Sequence, residues 1–192
     1  MKQKGRLFIV SGPSGVGKST LIDRFLREDD HSTFSISCTT RPKRPHEIEG
    51  KDYYFIEQGR FRELVGQDHF LEWEEVHGYC YGTPAKEILD NLERGIDVVL
   101  DIDVKGALTI RQKCPRAYLI FIEPPSVDDL IQRLSSRGEQ EIAKRMQRVR
   151  EEMSRKDLFD CAIINDQLSS AYETFKSVIS EARRQEHGKD NC

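Results

Sequence analysis

The eight residues Gly12-Pro13-Ser14-Gly15-Val16-Gly17-Lys18-Ser19 constrain this 192-residue chain more than any other segment. They match G-x-x-x-x-G-K-[ST], in which glycines let backbone N–H groups wrap an anion and the following helix adds its positive N-terminal dipole. The pattern carries that chemistry only between a strand and a helix, and both flanks comply. Arg6-Leu7-Phe8-Ile9-Val10 is a short run of β-type residues ending in the glycine turn, as a buried strand does. From Lys18 onward, Leu21, Ile22, Phe25 and Leu26 form one apolar stripe broken by Asp23 and Arg24, the pattern of an amphipathic helix. Lys18 is then placed to reach the β and γ phosphates of a nucleoside triphosphate, and Ser19 to ligate its Mg²⁺.

Similar buried runs recur at 97–103, 117–122 and 162–165, each followed by a helix-like segment, which predicts a parallel sheet covered on both faces. Thr83 and Pro84 predict the cap and first position of a helix that buries Ile88, Leu89 and Leu92 and stops at Gly95. Ser126 with Asp129 reads as a capping box. Ile142, Met146, Val149 and Met153 recur with the helical period, as do Leu168, Tyr172, Phe175 and Ile179, so two more helices are expected. The stretch 35–81 differs in character. Its Thr, Tyr, Phe, Glu and Arg are punctuated by Pro42, Pro45, Gly50, Gly59, Gly66 and Gly78, which predicts an inserted lobe of short antiparallel strands.

Charge and composition exclude several classes. Lys plus Arg number 30 against 33 Asp plus Glu, a formal charge of -3, so no global positive field favours nucleic acid or an anionic membrane. No apolar run approaches the roughly 20 residues that span a bilayer, and the run after the basic N-terminus is too short for a signal-peptide core, so a cytoplasmic location is expected. The five cysteines are odd in number and hold no C-x-x-C pair, which reads as reduced thiols.

A second constellation lies in the insert. In Thr39-Thr40-Arg41-Pro42-Lys43-Arg44-Pro45-His46-Glu47, two arginines three apart stand on a segment held extended by its prolines, with Tyr53 downstream. Such forks suit a second, terminal phosphate, a solvated basic loop being the alternative. Together with that run, Ser37-Cys38 before it, Gly50-x-Asp52-Tyr53-x-Phe55, Phe70-Leu71-Glu72-Trp73, Tyr79-Cys80-Tyr81-Gly82-Thr83 and Leu100-Asp101-Ile102-Asp103 resemble guanylate kinases. The resemblance runs from Gly12 to Ile164-Asn165-Asp166.

The resemblance implies an α/β fold: a P-loop NTPase core with a mostly parallel sheet flanked by helices, an inserted mixed β-rich GMP-binding lobe and a helical lid. Residues 1–34 and 84–192 would form the core, with the lid at about 126–156, and residues 35–83 the lobe. It further implies transfer of the γ-phosphoryl group of ATP to GMP, and to dGMP, giving ADP and GDP with Mg²⁺. Gly12 through Thr20 and Asn165 would hold ATP. Ser37, Arg41, Arg44, Tyr53 and Tyr81 would hold the GMP phosphate beside Glu47; Glu72, Thr83 and Asp103 would read guanine; Asp101 would sit near the phosphates and Mg²⁺. Lys18, Arg41 and the lid arginines Arg133, Arg137 and Arg145 would be the catalytic cations. No nucleic-acid or membrane partner and no oligomeric state is implied.

The chemistry holds without the family. Guanine presents N1–H and N2–H₂ on one edge, which a carboxylate such as Glu72 accepts together, whereas adenine's N1 acceptor would leave that carboxylate unpaired. A solvent-facing strand residue is the alternative for Glu72. The nucleophile is an anionic phosphate oxygen, so no general base is needed and the demand is for cations. Arg133 and Arg137 share one helix face and Arg145 and Arg148 the next, with Gly138 between; Arg148 alone reads as an ordinary surface ion pair. Two other functions compete. A catalytically silent guanylate-kinase-like protein-binding module would be expected to have lost the glycine loop or Lys18, and a kinase for another nucleoside monophosphate would lack Glu72, Thr83 and Asp103; all are present. Two departures from the family stand out: the 138–144 loop is about three residues short, which bears on lid closure, and His46 replaces a common Gly beside the phosphate clamp.

Overall fold

The computed structural model describes residues 4–76, 78–135 and 142–185. Its main sheet holds β1 (Leu7–Ser11), β2 (Ser32–Phe34), β7 (Asp97–Asp101), β8 (Tyr118–Glu123) and β9 (Cys161–Ile164) in the order β2-β7-β1-β8-β9, every pairing parallel. All of β1 is buried because alternate residues enter two cores. Phe8 and Val10 pack with Leu21, Ile22 and Phe25 of α1 (Lys18–Glu28) and with Tyr172, Phe175 and Ile179 of α7 (Leu168–Arg184). Leu7 and Ile9 join Ile88 and Leu92 of α3 (Ala85–Glu93) and Ala107 and Ile110 of α4 (Val104–Lys113) on the other face. A strand buried on both faces needs a continuous apolar run, which is the signal the sequence carries here.

The insert is a second sheet, β4-β3-β6-β5, built from β3 (Cys38–Thr39), β4 (Tyr54–Phe55), β5 (Phe70–Val76) and β6 (Tyr79–Pro84). Two of its pairings are antiparallel, but β3 and β4 run parallel, and the helix α2 (Gln58–Gly66) covers the sheet through Phe61 and Leu64. The expectation of antiparallel strands is corrected at β3–β4, while the mixed β-rich lobe that the resemblance implies is what forms, with a helix added. The stacked Phe61–Phe70 pair supplies the packing that sets helix on sheet.

Other expectations also shift. Thr83 does not cap α3: β6 runs through Pro84, and the Thr83 hydroxyl is turned into the lobe. Leu89 is 37% exposed, so Ile88 and Leu92 alone form the buried stripe of that helix. Leu168, 43% exposed, likewise falls off the buried stripe of α7. Ser126 accepts from the Asp129 N–H ahead of α5 (Val127–Ser135), as a capping box does. In α6 (Ile142–Met153), Val149 is buried, with Met146 and Met153 against the same core. Cys38, Cys80 and Cys161 are free thiols, as the sequence predicts, and Cys192 lies outside the described residues.

Candidate active site

Two clusters of polar side chains meet at the carboxyl end of β7, and three consecutive residues, Asp101-Ile102-Asp103, join them. The first surrounds the glycine loop between β1 and α1. Gly12 has φ 137° and a Cβ there would lie 2.1 Å from the Ile122 carbonyl oxygen; Gly17, at φ 99°, begins α1 where a Cβ would lie 2.5 Å from Asn165 Nδ2. Only glycine meets both conditions. Asn165, buried after β9, donates from Nδ2 to the Val16 carbonyl at 2.8 Å and so holds the loop from outside. Lys18 donates from Nζ to the Gly12 carbonyl at 2.8 Å and stands 3.7 Å from Asp101; Ser19 Oγ donates to Asp101 Oδ2 at 3.3 Å. Thr20 is exposed in the first turn of α1. The N-terminal turn of α1 carries no acidic residue, which leaves its dipole unopposed for an anion.

The second cluster lies in the lobe. The Arg41 guanidinium donates to both oxygens of Glu47, at 2.6 and 3.0 Å, and Glu47 also accepts from the Arg44 backbone N–H at 2.8 Å. That bidentate pair holds the Glu47 carboxyl below its ordinary value and raises the guanidinium above its own. Arg41 lies 5.6 Å over the Tyr53 ring, and Tyr53 meets Tyr81 edge-on at 6.0 Å, so Arg41, Tyr53 and Tyr81 form one group. Ser37, half-buried before β3, anchors β4 by accepting from the Tyr54 N–H, and Arg44 is exposed. His46 is exposed, and Asp68 is the one described non-glycine residue with positive φ, so the replacement of a glycine at 46 meets no backbone strain.

Glu72 is the least expected member by ordinary surface logic: a carboxylate only 8% exposed, on β5. Its Oε1 accepts from the Thr83 hydroxyl across the β5–β6 pairing at 2.5 Å. Burial pushes its carboxyl up to about 7, with the Asp103 charge adding to the rise and the Thr83 bond opposing it. Asp103 caps α4 by accepting from the Gly106 N–H at 2.8 Å through Oδ1. A buried acceptor short of donors is a receptor for a ligand edge made of N–H groups.

Of the lid arginines, Arg133 lies in α5 and Arg145 in α6, and Arg137 lies outside the described residues, as does most of the shortened 138–144 loop. Sequence reasoning missed Arg148. It does make an ordinary ion pair, with Glu152 at 3.0 Å, but it also donates from Nη2 to Asp103 Oδ2 at 3.1 Å, 45 residues away. Nothing in the local sequence signals that contact, because it depends on the fold bringing Arg148 to the residue that caps α4.

The guanylate kinase family model matches residues 4–182. Guanylate kinase from Thermotoga maritima is 43% identical over 183 residues, covering 94% of this chain and 88% of its own, and that of Syntrophomonas wolfei is 41% identical over 186 residues, covering 95% of each. The crystal structure of guanylate kinase from Anaplasma phagocytophilum superposes with a TM-score of 0.80 at 29% identity over 96% of this chain and 89% of that one. With the family model spanning residues 4–182 and these relatives 41–43% identical over more than nine-tenths of the chain, this chain belongs to the guanylate kinase family.

Proposed function

We propose that the chain is an ATP:GMP phosphotransferase that accepts dGMP as well, acting in the cytoplasm. The observation that carries the reading is the placement of Asp101 and Asp103 two residues apart, one beside Lys18 and Ser19, the other beside Glu72. A single extended segment so short brings a phosphate cradle and a receptor for N–H groups within reach of the two reacting nucleotides.

In this reading the core, with its lid, binds ATP, and the lobe 35–83 binds GMP. Gly12 through Thr20 take the ATP phosphates, Lys18 turning from the Gly12 carbonyl toward the β and γ oxygens, and Asn165 keeps the loop in shape. Ser19 Oγ and Asp101 form a pair of hard oxygen donors that suits Mg²⁺, and no group of three His, Cys, Asp or Glu residues that could hold a metal occurs among the described residues, so phosphate oxygens would complete the shell. Bound there, Mg²⁺ would neutralise phosphate charge. Ser37, Arg41, Arg44, Tyr53 and Tyr81 take the GMP phosphate, with Glu47 holding the Arg41 fork in one orientation. Glu72, Thr83 and Asp103 take the guanine edge, the Glu72 carboxylate losing its proton as N1–H and N2–H₂ replace it. Arg133, Arg137 and Arg145 close over the transferring phosphoryl group, whose loose transition state spreads charge over equatorial oxygens. The nucleophile needs no base.

The test is ADP release measured with GMP, dGMP, AMP, UMP and CMP as acceptors. Turnover with GMP and dGMP and little with the others is expected; equal turnover with AMP would overturn the assignment of the base pocket.

A further inference from the structure

Arg148 belongs to α6, on the lid side of the core, yet its guanidinium reaches the residue that caps α4 beside the base pocket. Its surroundings are crowded with carboxylates. Gly106 sits between two of them: a Cβ there would lie 3.1 Å from Glu72 Oε2 and 3.5 Å from Asp103 Oδ1. Glu74 on β5 is a third, its carboxyl raised chiefly by burial and then by the charge of Asp103. Glu152 on α6 is a fourth, also raised chiefly by burial. Against them stand cations: Lys18, whose charge acts on Glu152, and Arg155 at the cavity wall. Lys105 of α4 bonds Glu74 at 2.9 Å, and Lys113 of α4 acts on Glu72 from further along the helix. Arg148 bonds Asp103 at 3.1 Å through Nη2 and Glu152 at 3.0 Å through Nε at once, a bridge for which the fixed spread of the guanidinium donors is suited. A cavity of about 320 Å³ opens at this junction, walled by Glu74, Asp103 and Lys105 on one side and Arg148, Glu151 and Glu152 on the other.

We propose that Arg148 is a positioning residue for guanine recognition: it fixes the Asp103 carboxylate against Glu72 and ties that pair to the lid helix, so that base specificity depends on a side chain of α6. Asp103 has two oxygens with two tasks. Oδ1 is committed to the cap of α4, and without Arg148 the carboxylate would stand beside Glu72 and Glu74 with Lys105 as the nearby cation, like charges that would turn it away. Arg148 removes that repulsion without touching the base. Because the same fork grips Glu152, any movement of α6 during closure is felt at Asp103, and an occupied base pocket in turn favours the arrangement of α6 in which the bridge is made.

The inference rests on the guanine-reading role of Glu72 and Asp103, and the experiment separates the two. Guanosine, which has no phosphate to titrate, is bound at equilibrium between pH 6 and 9 to the wild type and to Arg148→Ala, Arg148→Lys, Arg150→Ala and Glu72→Gln, each checked for folding by thermal melting, and KM is measured for GMP and ATP. Arg148→Ala should weaken guanosine by about tenfold, the loss of one charge-assisted hydrogen bond, raise KM for GMP similarly and leave KM for ATP within about twofold. The pH at which guanosine affinity rises should also move upward, since Glu72 would then ionise against an uncompensated Asp103 and Glu74, with Lys105 and Lys113 as the cations left on its side. Arg148→Lys can satisfy one of the two carboxylates and should fall between; because it keeps the charge and the helix, it carries the test if the alanine variant does not fold. Arg150→Ala removes an exposed cation of the same helix and should behave as wild type. Wild-type guanosine affinity and an unmoved pH profile in Arg148→Ala, or equal losses for ATP and guanosine, would overturn the inference while Glu72→Gln still loses guanosine. Full guanosine affinity in Glu72→Gln would overturn the base-pocket reading itself, and the inference with it.

Discussion

Replacing Glu72 by Gln should make the free protein more stable at alkaline pH while it destroys the preference for GMP. Glu72 is 8% exposed and its carboxyl is pushed up to about 7 from an ordinary value of 4.5, burial being the main cause. A carboxyl raised in the folded state binds its proton more tightly there than in the unfolded chain, so its contribution to stability is complete below 4.5 and is lost as pH rises through 7. At about 1.36 kcal/mol per pH unit across that interval, the wild type should lose about 3 kcal/mol that a neutral amide does not lose. The amide can keep its carbonyl oxygen on the Thr83 hydroxyl and place its N–H₂ where Oε2 stood, and any cost of that exchange is the same at every pH. The diagnostic quantity is therefore the change in the difference between the two proteins, obtained from urea unfolding of the ligand-free forms at pH 5 and pH 8.5. It should favour Glu72→Gln by about 3 kcal/mol at the higher pH relative to the lower, equivalent to roughly 6–12 °C in melting temperature for a chain of this size. In the same variant kcat/KM for GMP should fall by about 2 kcal/mol or more in transition-state terms, because an amide N–H now faces guanine N–H, with KM for ATP little changed. A stability difference that moves by less than about 1 kcal/mol between the two pH values would refute the argument that this carboxylate is stored at a cost for the sake of its ligand.

Other expectations follow from the same geometry. Lys18→Ala should cut kcat roughly a thousandfold without unfolding the chain, which far-ultraviolet circular dichroism and steady-state rates check together. Gly17→Ala forces a side chain into a left-handed backbone position and against Asn165, so melting temperature should drop by an amount equivalent to about 1–3 kcal/mol and KM for ATP should rise. Glu47→Gln replaces the bidentate ion pair that aims Arg41, and KM for GMP should rise several-fold, about 1 kcal/mol, with KM for ATP unmoved. Arg137→Ala and Arg145→Ala should lower kcat more than they raise either KM; an effect confined to KM for ATP would assign these arginines to ground-state binding.

The glycine loop, the buried β1 and the stripes of α1 and α7 were legible in the chain because their physics is local: a strand covered on both faces must be apolar throughout, a helix covered on one must repeat every 3.6 residues, and a left-handed turn must be glycine. Arg41 stood out as one of two arginines on a segment held extended by its prolines, whereas Glu72 was singled out by the resemblance, a solvent-facing strand residue being the alternative. What local pattern could not supply is pairing. The two-residue strands β3 and β4 are too short to show a period, so their parallel register and the helix between β4 and β5 escaped notice. The Thr83–Pro84 pair looked like a helix cap, yet cross-strand pairing carries β6 through Pro84, so the helix starts one residue later and the hydroxyl goes to Glu72 instead. Arg41 was read as a free fork, and only the folded lobe shows Glu47 already gripping it. Arg148 is the clearest case: at i, i+4 from Glu152 it was an unremarkable surface arginine, and its reach to Asp103 exists because α6 packs where the base pocket and α4 meet. Periodicity and residue type travel along the chain and can be read there; which charge neutralises which is decided by distances that come into being only when the sheet, the lobe and the helices have closed on one another.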